Sequence, residues 1–160
     1  MIRVQKKDGE LVVTLAMPEA SLLRSLPRRL KKLLESPDFA DRIVQRLFPP
    51  AYSDPEKDAE HRRLLGNDLR AHKMRAVAIF EATIQRWRVH GHRVDVTIRA
   101  EEFEYWLGFI NDMRLVLGAD LGIEDEGWGT NFDPSHPRAE DFALLHYLSW
   151  LEEEVLHAAG

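Results

Sequence analysis

Two stretches of this chain repeat their apolar residues at the spacing of an α-helix, and no other feature constrains the fold as much. The first carries Leu69, Ala76, Val77, Phe80, Ile84 and Trp87, and the second Phe103, Leu107, Ile110, Leu117 and Leu121. Residues three, four or seven apart share one helix face, so each stretch must bury a stripe against other elements. The first helix is expected to end before His90-Gly91-His92 and the second to begin near Glu101.

Other helical patterns fill most of the remaining chain. Leu22, Leu23, Leu26, Leu30, Leu33 and Leu34 form a stripe in which Pro27 is expected to kink the helix or start a new one. Ser36-Pro37 breaks that pattern, and a short helix over 39–48 stops at Pro49-Pro50. Asp54-Pro55 reads as a helix start, because Asp caps free amides and Pro suits the first helical position. Gly66-Asn67-Asp68 reads as a stop followed by a restart. The last helix places Leu144, Leu148, Leu151 and Val155 on one stripe. A loop over 123–137, rich in Gly, Asp, Asn and Pro, precedes it and holds Trp128 between two glycines, as a core cap or an interface anchor.

Strand signals are few. Ile2, Val4, Leu11, Val13 and Leu15 alternate around Asp8-Gly9, the signature of a hairpin with a type I′ turn. Val94, Val96 and Ile98 alternate with Asp95 and Thr97, and a lone hairpin is marginal in water, so this late strand is expected to join the early pair. The fold class is therefore mainly α, a helical bundle of about five to six helices with a small three-stranded antiparallel sheet made of the N-terminal hairpin and a strand near 94–98. At 160 residues the whole chain, 1–160, is read as a single domain.

Charge and composition remove several classes of function. The formal net charge is −5, which argues against nucleic acid as a partner. With no cysteine, disulfides, thiolate metal sites and thiol nucleophiles are excluded. The N-terminus lacks an apolar signal core and no apolar run reaches the length of a membrane span, so no membrane partner and a cytoplasmic location are expected. His61 and His72 lie eleven residues apart, as do His146 and His157, roughly 16 Å along a helix and too far to share one ion. No metal site and no cofactor are expected, and no catalytic motif is present. The cations Arg24, Arg28, Arg29, Lys31 and Lys32 opposite the first leucine stripe read as a solvated rim.

Arg114 is the anomaly. Counted from Phe103 it falls within about 20° of the centre of the apolar stripe, where an unpaired guanidinium is costly. Either a carboxylate from a facing helix (Glu60, Asp68 or Glu81) pairs with it, or it holds an anionic ligand. Asn111 and Gly118 flank it, and Asp112 is expected on the opposite face, solvated or paired with Arg or Lys. Trp106 and Arg63 complete the binding candidates.

Two segments, RLFPPAYSDPEKDAEHRRLLGNDLRAHK over 46–73 and WLGFINDMRLVLGADLGI over 106–123, resemble a bacterial, chiefly actinobacterial, domain-of-unknown-function family, DUF2017. The resemblance concentrates on Trp106, Asn111, Asp112, Arg114 and Gly118, and departs from the family pattern at Asp120 (commonly Arg) and Gly66 (commonly Thr). It implies no activity, but genes of this family often neighbour that of the Clp adaptor ClpS, which implies a Clp-linked partner. The expected function is thus a non-enzymatic regulatory or protein-interaction domain, forming a two-fold homodimer. The alternatives are a small-molecule or anion binder or enzyme using Arg114 in an interhelical cleft, and a transcriptional regulator.

Overall fold

Asp8 and Gly9 both adopt positive φ, 53° and 80°, as the hairpin turn requires. They join β1 (Arg3–Lys7) to β2 (Glu10–Ala16), from which the chain passes directly into α1 (Met17–Glu35). The computed structural model describes residues 3–123 and 133–160. After α1 come α2 (Arg42–Leu47), α3 (Pro55–Gln85), β3 (Arg88–His90), β4 (Arg93–Ile98), a 3₁₀ turn (Ala100–Glu102), α4 (Phe103–Asp120) and α5 (Ala139–Ala159). The fold is mainly helical, with five α-helices and a small antiparallel sheet among the described residues.

That sheet has four strands in the order β1-β2-β4-β3, not the three expected. The additional strand is three exposed residues long and carries one apolar side chain, Val89, so no alternation announced it. Its turn is Gly91-His92, with Gly91 at φ 61°. The central pairing of β2 with β4 sets Leu11 opposite Ile98, Val13 opposite Val96 and Leu15 opposite Val94. All six are buried beneath the helices, leaving the polar side chains of these strands on the other face.

Neither Pro27 nor Gly66 ends a helix. α1 runs through Pro27, which is buried beside Leu23, Leu26, Leu30 and Leu34, so the helix loses one donor at Pro27 without ending. α3 runs through Gly66 as one helix of 31 residues. Its start is as read: Asp54 accepts from the Glu56 amide at 3.0 Å, with Pro55 at the first position. A mid-helix glycine costs about 1 kcal/mol, too little to end a helix anchored at both ends. The Trp128 expectation falls outside the described residues.

Candidate functional site

α4 buries Trp106, Phe109, Ile110, Met113, Val116 and Leu117. The centre of that face passes through Met113, and Arg114 lies about 100° away, so it is not at the middle of the stripe. The misreading came from Phe103, Leu107 and Leu121, which are only partly buried and mark one border of the face. Asp112 lies about 100° to the other side of Met113. The two charged residues thus flank the buried face and reach different helices.

On one flank Lys73 Nζ of α3 donates to Asp112 at 2.8 Å, the side chains being 13% and 7% exposed. Asp112 is therefore buried and paired, not solvated. Burial pushes its carboxyl above the usual carboxylate range, and Lys73 pulls against that. On the other flank Arg114 Nη1 meets Glu152 of α5 at 2.5 Å and its Nε donates to Ser149 Oγ at 3.0 Å. None of Glu60, Asp68 and Glu81 is the partner; Glu81 instead meets Lys31 at 3.2 Å. An anion reaching Arg114 would have to displace a carboxylate already in place. The NDMR segment thus clamps α4 between α3 and α5.

The other candidates are dispersed. Trp106 is fully buried against Phe80, with ring centroids 5.4 Å apart, and serves the core. Asn111 is exposed on the outer side of α4. Arg63 stands on α3, mostly exposed, at 3.8 Å from Glu60. Asp120 acts as a tie between helices. It accepts from Arg29 at 3.4 Å and Arg138 at 2.5 Å, joining α1 and the start of α5 to the end of α4. Among the described residues no three metal-ligating side chains gather to hold an ion. Nor is any helix there long and apolar enough to cross a membrane.

What reasoning from sequence missed lies on the N-terminal half of α3. Polar contacts hold this half in place. Asp58 accepts from the Ala51 and Tyr52 amides, at 2.8 and 3.3 Å, and pairs with Arg62 at 3.2 Å. The Ala51 amide, with Tyr52 and Arg62, holds its carboxyl below the usual range despite burial. Arg62 lies over the Phe39 ring, and Arg70 donates to the Leu34 and Glu35 carbonyls at the end of α1. Three apolar side chains of this half stand open: Leu65 and Leu69, about 40° apart on one face, and Leu64, about 100° around the helix from Leu65, are 52%, 40% and 64% exposed, and Tyr52 in the preceding loop is 50% exposed. At one end of this strip Tyr52 and His61 meet edge to face, at 5.6 Å; at the other His72 and Tyr105 meet at 5.1 Å. A signal was present only for Leu64, which lies about 120° or more from Ala76, Val77 and Phe80; Leu65, eleven residues before Ala76, shares their stripe.

The family model of a domain of unknown function, DUF2017, matches residues 1–159. No curated protein and no solved structure matches the chain.

Proposed function

The chain belongs to the DUF2017 family, a membership that carries no activity with it, and we propose that it acts as a non-enzymatic protein-interaction domain docking through the exposed leucines in the N-terminal half of α3. One observation carries this reading: Leu65 and Leu69 stand open on one face of α3, with Tyr52 in the preceding loop also open, while this half of the helix is held in place by the polar contacts of Asp58, Arg62 and Arg70. Single exposed apolar residues are ordinary on a surface, whereas a strip of them along one helix is the layout of a helix-mediated interface. The charged candidates on α4 support the reading from the other side, because Asp112 and Arg114 are engaged in holding helices together. A regulatory role and a Clp-linked partner belong to the same reading, and the second rests on the family resemblance alone.

The test is the variant Leu65→Glu/Leu69→Glu compared with the unaltered protein. Both should show the same helical circular dichroism and, in dilute solution, the same unfolding midpoint, since neither leucine is in the core. Sedimentation of the pure proteins, and capture from native cytoplasm with Clp components scored explicitly, should show association by the unaltered chain only. Equal association by both, or by neither, would overturn the proposal.

A further inference from the structure

The interaction face has an internal symmetry that points to its occupant. Along α3, His61, Leu65, Leu69 and His72 follow at four, four and three residues, which keeps them on one side of the helix. Each histidine carries a tyrosine, Tyr52 on His61 and Tyr105 on His72. Read from either end, the strip runs aromatic pair, leucine, leucine, aromatic pair. A two-fold interface requires a patch that matches itself when turned end over end, so that residue i meets j and j meets i.

We infer that this face binds a second copy of the same chain, with the two α3 helices antiparallel and the two-fold axis between Leu65 and Leu69. This rests on the docking role proposed for α3 and names its partner. In this register Leu65 of each copy packs on Leu69 of the other, and the Tyr52–His61 pair of each meets the His72–Tyr105 pair of the other. Both matches are apolar or aromatic, and aromatic rings favour such edge and offset contacts.

Charge fits the same pairing. Residues 55–75 hold four acidic side chains (Glu56, Asp58, Glu60, Asp68) and six basic ones (Lys57, Arg62, Arg63, Arg70, Lys73, Arg75), a formal +2 within a chain of −5. Two acidic chains thus meet through a segment that does not share their net negative charge and whose own charge is small, so the repulsion across the interface is modest. The open half of α3, about 20 residues or roughly 30 Å, gives a helix pair of ordinary interface length.

The absence of native cysteine allows a direct test of register. Leu65→Cys and Leu69→Cys are made separately, then mixed and oxidised gently. The expected product is chiefly the mixed disulfide, joining position 65 of one copy to position 69 of the other, in clear excess over either like-with-like product. Glu140→Cys, placed on α5, should cross-link with neither. In sedimentation equilibrium the unaltered chain should dimerise, and Leu65→Glu should raise the dissociation constant at least about tenfold. A pure protein that stays monomeric at about 0.1 mM, or a dimer without excess of the mixed disulfide, overturns the inference. A monomer whose α3 variant still loses a captured protein would overturn this inference alone and leave the docking role standing.

Discussion

The two halves of α3 are one helix with two opposite relations to the rest of the molecule. The C-terminal half buries Ala76, Val77, Phe80 and Thr83, with Phe80 stacked on Phe109 at 4.0 Å between centroids. The N-terminal half buries a single side chain, Asp58, and is held by Asp58, Arg62 and Arg70. Burial of an aromatic ring is strong and indifferent to direction, whereas hydrogen bonds and ion pairs near water are weak but directional. A half fixed by the second kind of contact keeps its orientation without using its leucines. That difference leaves Leu65 and Leu69 free for a partner.

The largest expected effect lies in the buried half. Phe80→Ala opens a cavity against Trp106 and Phe109 and should cost about 3–5 kcal/mol in urea unfolding. The border between the halves comes next. Lys73 and Asp112 are both shielded, so Asp112→Leu strands a buried ammonium and should cost about 3 kcal/mol, while Lys73→Met/Asp112→Leu should recover most of that loss. A double variant no better than the single one would show that the pair does more than neutralise itself.

Asp112 also fixes a pH dependence. Its carboxyl is raised by burial, so the native state holds this proton more tightly than the unfolded chain. Its stabilising contribution is complete below the unfolded carboxylate range and is lost as pH rises through the raised native value. Asp112→Asn should therefore gain stability relative to the unaltered chain as pH climbs from about 4 to 7. A constant difference across that window would contradict the assignment.

Much of this architecture was legible because each readable element carried its own signal. The Asp8-Gly9 turn, the Asp54-Pro55 helix start and the alternation of Val94, Val96 and Ile98 are local, and all three stand where the sequence put them. What failed to show was set by tertiary context. Gly66 reads as a stop, yet the burial of Val77 and Phe80 beyond it keeps α3 whole. Arg114 reads as buried because Leu107 and Leu121 look like core; only the packing of α5 reveals where the core face ends. Leu65 and Leu69 were hidden for the converse reason: they share the stripe of Ala76 and Phe80, and hydropathy alone does not separate an unpartnered leucine from a buried one.

The outer half yields the small effects, and they are the sharper test because their sign differs from the inner half. A β-carbon on Gly66 would meet only Arg62 Cγ, at 3.4 Å, and its φ is not in the left-handed region. Gly66→Ala should therefore stabilise by about 0.5–1 kcal/mol, the helix-propensity difference, read as a higher thermal midpoint. A loss instead would mean that the glycine serves an approach by another chain, closer than any contact within this one. Leu65→Ala completes the series. With about half of its surface open, Leu65 has little packing to lose, and in dilute solution the change should stay within about 0.5 kcal/mol of zero. Repeating the measurement at rising protein concentration separates two meanings of exposure. If this half is an interface, the unaltered chain gains stability with concentration and Leu65→Ala gains less; if it is plain surface, both curves are flat.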